Sequence, residues 1–336
     1  MVDLNTKTNT ETPEIRDLKE SIKDYSRTEE STYLTFPEWY TVYSYQEYGD
    51  FIEKNPPSQF PYFSSINQFW GSYCDMYGIT YEGYPFNVGN HLMLSVVGTS
   101  FSVEYAVKGI YEKSIGRLIE WLSSYETEED KYSVKIAQDY GNFILTRPWY
   151  EFPFGEKMVG IWKDTKFFGK HFIRKVERKL FLSVENGIKS VYAWIIKKGT
   201  HAVYGGPESE DYIWVENFRD KLWEEKPRIK KIREMGNMSY VIAVPHYQDF
   251  TDVMQWLARN GVRFLDISGN DEIMLTAIAQ SDWDYKLTDA EQIFSMEILT
   301  QPHLKRIALK IPVKSLSTVL GELESNGAKI EHIHDY

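Results

Sequence analysis

The sequence predicts an α+β protein in which a mainly helical, aromatic-rich N-terminal domain precedes a ferredoxin-like C-terminal domain. Up to about residue 205, apolar residues recur every three or four positions, which is the spacing of amphipathic helices. From residue 240 onward, short apolar runs alternate with two helical segments and glycine-marked turns, the pattern of a βαββαβ sandwich. A chain of 336 residues is long enough for two hydrophobic cores.

The composition narrows the functional classes. Aromatic residues make up 15% of the chain, and Tyr and Trp at such density suit polar-lined cavities, interfaces or a membrane boundary. The net charge of -11 argues against general nucleic-acid binding. The single cysteine, Cys74, excludes an internal disulfide, and with no signal-peptide pattern it predicts a cytoplasmic protein. The longest apolar stretch, 92–103, is shorter than the about 20 residues that span a bilayer.

We predict four segments along the chain. Residues 1–30 are polar and predict a flexible or loosely docked N-terminal arm, with a short helix opened by Pro13. Residues 31–205 form the aromatic-rich helical domain, and 206–237 a charged connector helix. Residues 238–336 form the ferredoxin-like α+β domain.

Within the helical domain, Thr two residues before Pro marks a helix start near residue 35, since Thr caps a helix and Pro tolerates its first turn. The run Thr127-Glu128-Glu129-Asp130 marks another start by its cap and first-turn acids. The further predicted helices cover 66–77, 92–122 and 169–198. The apolar stripe that we expect to be core in the last of them comprises Ile173, Val176, Leu180, Val184, Ile188, Val191 and Ile195.

In the C-terminal domain, the predicted helices cover 250–260 and 316–325. The predicted strands cover 240–244, 262–267, 273–279, 293–299, 306–313 and 329–334.

Two resemblances add to this description. The apolar spacing of about thirty residues, from Arg306-Ile307-Ala308-Leu309 to Ile330, resembles regulatory modules of the ACT type. That resemblance implies a fold on which ligand binding or pairing of copies is common. The phrases at 36–40 and 147–151 are similar to uncharacterised bacterial envelope-associated proteins, which implies no particular chemistry.

A ten-residue phrase occurs twice, at 102–111 and 183–192, and in each copy Glu and Lys lie four positions apart on one helical face. A structural duplication is one explanation and chance is another. The pairs could be ordinary surface ion pairs, each contributing a few tenths of a kcal/mol, or part of a buried charge network that lines a polar cavity. A dimetal bundle would also need Glu-x-x-His on its helices, and the one such pair in the chain, Glu331 and His334, falls in a predicted strand. The candidate binding residues are Glu104, Lys108, Glu112, Arg174, Arg178, Glu185 and Lys189.

A basic block at 163–198 carries ten Lys or Arg against three acids, interleaved with aromatic residues. It predicts either attachment to an anionic membrane surface or a solvated helix face balanced by acids such as those at 126–130.

The histidines predict no metal centre. His332 and His334 share one face of the last strand, and His246 ends the first, but no spacing defines a third ligand. We expect two exposed or edge histidines, no metal and no cofactor.

These observations favour a non-enzymatic protein that binds a ligand or partner in a regulatory role, peripheral to the inner membrane surface. The partner would be a small molecule or anionic lipid, with homo-oligomers forming through the C-terminal domain and no nucleic acid bound. The alternative is an enzyme that uses the buried Glu, Arg and His cluster.

Overall fold

The computed structural model of the protein describes residues 12–123, 127–203, 210–225 and 228–336. Helices occupy the first part, and two four-stranded antiparallel sheets occupy the second. The predicted mixed α+β class is therefore confirmed.

The helices of the first part follow the predicted periodicity. A π-helical turn at Glu112–Gly116 joins the fourth helix to the fifth, so these two form one continuous rod. The helices are α1 Pro13–Ser21, α2 Ser31–Lys54, α3 Tyr62–Gly83, α4 Val88–Tyr111, α5 Arg117–Leu122, α6 Glu128–Phe143, α7 Phe154–Lys163 and α8 Phe172–Val203.

The first sheet has the strand order β2-β3-β1-β4, and all neighbours are antiparallel. Its first strand therefore lies inside the sheet, between the third and the fourth. The elements are β1 Glu210–Glu216, α9 Lys221–Glu225, β2 Lys230–Gly236, β3 Ser239–Pro245, α10 Gln248–Arg259 and β4 Arg263–Ile267.

The second sheet repeats this arrangement, with the order β6-β7-β5-β8 and antiparallel neighbours. Its first two strands, β5 and β6, are joined by residues 281–290 without a helix, and all of these residues are described. The elements are β5 Glu272–Gln280, β6 Glu291–Glu297, β7 Leu304–Pro312, α11 Leu316–Ser325 and β8 Lys329–His334.

The predicted connector helix at 206–237 is wrong, because β1 and β2 lie within it and the helix described there, α9, has only five residues; residues 206–209 and 226–227 lie outside the described part. In β1, Ile213 and Val215 are buried while Tyr212 and Trp214 are only partly so, which is the alternation of a strand. The charged residues around it resembled a solvated helix. The boundary at residue 238 therefore falls inside the first sheet.

The two sheets share one hydrophobic core with α10 and α11 between them. Ile242 of the first sheet and Leu309 of the second belong to that core. The other face of the second sheet packs against α2, where Phe36 and Trp39 cover Met274. Helix α2 therefore connects the helical part to the sheets.

The predicted flexible arm is wrong for residues 12–30; residues 1–11 lie outside the described part. Leu18 and Tyr25 are fully buried against the first sheet, and the Tyr25 hydroxyl donates to Asp266 Oδ1 at 2.7 Å. The few apolar residues of this polar segment are the ones that dock it.

Two glycines let α2 and α6 cross at close range. A Cβ on Gly49 would lie 3.1 Å from the backbone N of Gln138, and one on Gly141 would lie 3.1 Å from Gln46 Cα. Each glycine thus contacts the backbone of the other helix, which cannot move aside as a flexible side chain would.

We expect Gly49→Ala to lower the free energy of unfolding by about 1 kcal/mol. Overpacking costs about 1 to 3 kcal/mol, which the better helix propensity of Ala, about 1 kcal/mol, only partly offsets. Gly71→Ala is the matched control, because a Cβ there meets nothing within 4 Å, and it should stabilise. Urea denaturation measures both, and equal stabilisation by the two changes would contradict the close crossing.

Candidate functional site

The two copies of the repeated phrase lie against each other on α4 and α8 and exchange ion pairs. Lys108 Nζ is 2.8 Å from Glu185 Oε1, and Lys189 Nζ is 2.7 Å from Glu104 Oε1. Lys189 Nζ is also 3.3 Å from Glu185 Oε1 within its own helix. Each ammonium thus pairs with the carboxylate of the other copy, as in an antiparallel pair of equivalent helices.

A second network of charges adjoins the first and is built around two arginines. Arg178 donates to both oxygens of Glu112, at 2.9 and 3.0 Å, and its Nε donates to Glu177 Oε2 at 2.9 Å. Arg174 donates to the same Glu177 oxygen at 3.2 Å and to Asp130 Oδ1 at 3.0 Å. Glu177 therefore bridges the two guanidinium groups, and Arg174 and Arg178 are both buried.

Burial and charge oppose each other in these networks. Burial alone would raise the pKa of Glu185, but Lys108 and Lys189 outweigh it and hold that pKa at about 2. Burial would lower the pKa of Lys108, yet Glu185 raises it above the ordinary value. Glu185, Lys108 and Lys189, the last also with a raised pKa, are accordingly charged at neutral pH.

All seven predicted site residues lie in these two networks, whose binding role stays a prediction. The interpretation as ordinary surface pairs is wrong, because the pairs cross between helices and side chains such as Lys108 are only 11% exposed. Sequence reasoning missed Asp130 and Glu177. Asp130 also closes a capping box with Thr127; its sequence position indicated that cap and a general balance of the basic block, but not a bond to Arg174.

The space beside the first network is small. A cavity of about 30 Å³ is lined by Tyr45, Tyr48, Lys108, Glu185 and Lys189, among others. Such a volume holds about two water molecules, whereas ligand pockets measure about 300 to 1,000 Å³. The network lines a polar cavity of water size.

A second repeated phrase, which sequence reasoning missed, supports a duplication. Residues 46–51 (QEYGDF) and 138–143 (QDYGNF) lie where α2 and α6 cross. Lys108 Nζ is 4.1 Å from the ring centroid of Tyr48, and Lys189 Nζ is 5.2 Å from that of Tyr140. The two phrases therefore make equivalent contacts with the two lysines of the first network.

Two more equivalences extend the repeat. Ser102 accepts the indole N–H of Trp70 at 2.9 Å, and Ser183 accepts that of Trp162 at 2.8 Å. Short 3-10 turns at Pro57–Gln59 and Trp149–Glu151 precede α3 and α7. The segment α2 to α4 thus recurs geometrically as α6 to α8.

The outer faces of α4, α5 and α8 are apolar. The stripe on α8 that was predicted as core is wrong, since six of its seven members are exposed and Val176 is partly so. The charged face turns inward because its side chains find their partners there. The exposed residues on these helices include Leu92, Val96, Val103, Val107, Ile110, Leu118, Trp121, Ile173, Leu180, Val184, Ile188, Val191 and Ile195.

The exposed charged side chains on these helices are all positive. In residues 88–122 and 172–198, the exposed charged side chains are Lys113, Arg117, Lys197 and Lys198, and every acid is partly or fully buried. The solvated-face interpretation of the basic block is wrong for four members, because Arg174, Lys175, Arg178 and Lys179 are buried in ion pairs. Among the described residues, no helix has the length and hydropathy needed to cross a membrane.

Of the predicted exposed or edge histidines on the last strand, the edge position is confirmed, since β8 is an edge strand of its sheet, but the exposure is wrong. His332 and His334 are fully buried under α2, with the His332 ring 3.6 Å from that of Trp39 between centroids. Burial and the nearby Arg306 lower the pKa of His334 to about 3, so its imidazole is neutral. His246 lies apart from both and contacts two aspartates.

Comparison with known proteins adds no assignment: no family model, curated protein or solved structure matches this chain.

We expect Glu185→Gln to destabilise the protein by about 3 to 5 kcal/mol, because it leaves the Lys108 ammonium without its carboxylate and removes one of the two carboxylates that pair with Lys189. Glu104→Gln removes a partner of Lys189 alone and should cost less, and the two losses should not add. Glu234→Gln is the control, since its pair with Lys231 is exposed and should contribute at most about 1 kcal/mol. Chemical denaturation measures the wild type, the three single variants and the double variant of Glu104 and Glu185, and small additive losses would contradict a shared network.

The depressed pKa of Glu185 predicts a loss of stability in acid. A carboxylate whose folded pKa is about 2 and whose ordinary value is 4.5 stabilises the fold fully above pH 4.5, and this contribution disappears as the pH falls toward 2. The size is about 3 kcal/mol. The free energy of unfolding of Glu185→Gln should therefore fall less steeply between pH 5 and about pH 2.5 than that of the wild type. Parallel curves would contradict the assignment.

Proposed function

We propose that the helical half is a membrane-surface module, which lies on an anionic bilayer with the apolar outer face of α4, α5 and α8 in the lipid interface. The observation that carries the proposal is the arrangement of the helix pair, with charges inside and apolar side chains outside. A protein in water buries such stripes, whereas lipid accommodates them.

The exposed side chains are too many and too contiguous for an ordinary monomer surface. Val103, Val107 and Ile110 of one copy of the phrase, and Val184, Ile188 and Val191 of the other, are each about 60% exposed. Contiguous apolar patches of this kind mark interaction or membrane sites. Both copies of the phrase therefore have the same two faces: a charged face toward the partner helix and an apolar face toward solvent.

The charge distribution favours anionic lipid over a second copy of the chain. The exposed charges of these helices are all cationic although the whole chain carries -11. Each Lys or Arg near an anionic surface contributes about 1 kcal/mol. A second copy would present the same cations, with no exposed acid on these helices to pair with them.

Aromatic residues at one end of the face fit the polar boundary of a bilayer. Trp121 and Phe168 are 81% and 77% exposed, and Arg117, Lys166 and Lys170 are exposed nearby in the chain. Aromatic rings beside cations are typical of the headgroup level. A cytoplasmic protein would meet this combination at the inner membrane surface.

For the C-terminal half, we propose two ferredoxin-like units in a ligand-sensing or regulatory role. The support is the strand order, which is the same in both sheets, and the βαββαβ element order of the first. The enzyme alternative lacks such support. The carboxylates and cations of the helical networks neutralise one another, and the cavity beside them has the size of about two water molecules.

The test is flotation of the full-length protein with phosphatidylcholine vesicles that contain phosphatidylglycerol. We expect the protein to float with these vesicles, and the double variant Trp121→Glu, Phe168→Glu to stay in solution. Met238→Glu is the matched control, because it also changes an exposed apolar residue but lies in the turn between β2 and β3. Lys113→Gln with Arg117→Gln should weaken binding to anionic vesicles more than to neutral ones.

Two outcomes would contradict the proposal. One is equal flotation of the wild type and the Trp121, Phe168 double variant. The other is a wild-type dimer in sedimentation that this variant dissociates, without flotation of either protein, because the face would then serve self-association.

A further inference from the structure

Three side chains from separate strands converge where the two sheets meet. Asp211 lies in β1, His246 directly follows β3, and Asp335 directly follows β8. His246 Nδ1 is 2.8 Å from Asp335 Oδ2 and 3.0 Å from Asp211 Oδ2. The three atoms lie within 4.8 Å of one another, although the residues are up to 124 positions apart in the sequence.

The cluster has two carboxylates but only one imidazole Nδ1–H to donate to them. A single Nδ1–H donates well to one acceptor, and here it donates to Asp335. Asp211 Oδ2 is left without a hydrogen bond although its side chain is 0% exposed. A buried carboxylate oxygen without a donor is costly, so a cation between the three groups would remove an unfavourable feature.

Two of the three separations match those of neighbouring ligands around a small ion. Two cis ligands of an octahedral ion with bonds of about 2.1 Å lie about 3.0 Å apart. The two measured separations, 2.8 and 3.0 Å, agree with this edge length. One imidazole nitrogen and two carboxylate oxygens are also a donor set that first-row divalent ions accept.

We propose that Asp211, His246 and Asp335 bind one divalent transition-metal ion, of the class of Zn²⁺ or Mn²⁺, at the junction of the two sheets. The ion takes the place of the Nδ1 proton and contacts both carboxylates. Water completes its coordination, since His246 is 12% exposed and provides an approach from solvent. The bound ion links β1 and β3 of the first sheet to the end of β8 in the second.

The surroundings suit a cation at this position. Glu38 of α2 adds a further carboxylate nearby, and its pKa is raised first by desolvation and then by the negative charge of Asp335. Tyr247, next to His246, has a φ of 66°, which is strained for a non-glycine residue, and its N–H donates to Asp335 Oδ2 at 2.9 Å. That bond orients the Asp335 carboxylate toward His246.

The experiment titrates the full-length protein, freed of metal with EDTA, with Zn²⁺ alone in a calorimeter, and repeats the titration with Mn²⁺. We expect one ion per chain. Asp335→Asn and Asp211→Asn should each weaken binding by about 10- to 100-fold. His303→Gln removes an exposed imidazole outside the cluster and should leave affinity and stoichiometry unchanged.

Asp211→Asn changes a fully buried side chain and could fail to fold. Thermal unfolding of the other variants with and without Zn²⁺ therefore provides a second test. Zn²⁺ should raise Tm in the wild type and in His303→Gln, but not in Asp335→Asn. Absence of ion binding by the wild type would overturn the proposal. Unchanged affinity in Asp335→Asn, or weak binding to several ions that His303→Gln also reduces, would overturn it too.

Discussion

The reciprocal pairing of Lys108 with Glu185 and of Lys189 with Glu104 decides how the helical half is built. Removing a charge from water costs several kcal/mol unless a partner compensates it. Helices that carry these charges on one face must therefore meet by that face. Their other faces are apolar and turn outward, so the same constraint that closes the helix pair creates the exposed surface for which a lipid partner is proposed.

The pairing is reciprocal because the helical half is built twice. The glycines at 49 and 141 each contact the other helix, and the serines at 102 and 183 each accept a tryptophan N–H. The copies have also diverged. Tyr45, whose hydroxyl donates to Glu104, stands where the second copy has Ala137, and the small cavity opens at that point. The replacement of Tyr45 by Ala137 in the second copy therefore makes the two sides of the helix pair unequal.

The sheets follow the same plan of two equivalent units around one core. Each sheet has its first strand between its third and fourth, and α10 and α11 fill the space between the sheets. What joins the units chemically is at the edge of this core, where Asp211 and His246 of one sheet meet Asp335 at the end of the other. A metal ion there would couple the two units without altering the core.

The sequence by itself determined the local elements, because periodicity is a local property. The strand and helix positions after residue 240 and the long helix near 172–198 follow from apolar spacing, and the repeated phrase indicated that Glu104, Lys108, Glu185 and Lys189 belong together. Only the tertiary structure decided which face of each helix is inside. An amphipathic pattern separates two faces but does not orient them, and the partners of Arg174 and Arg178 lie far away in the sequence. The position of β1 was missed because the strand lies among charged residues. The cluster of Asp211, His246 and Asp335 was missed because these residues are far apart in the chain and meet only where the two sheets pack together.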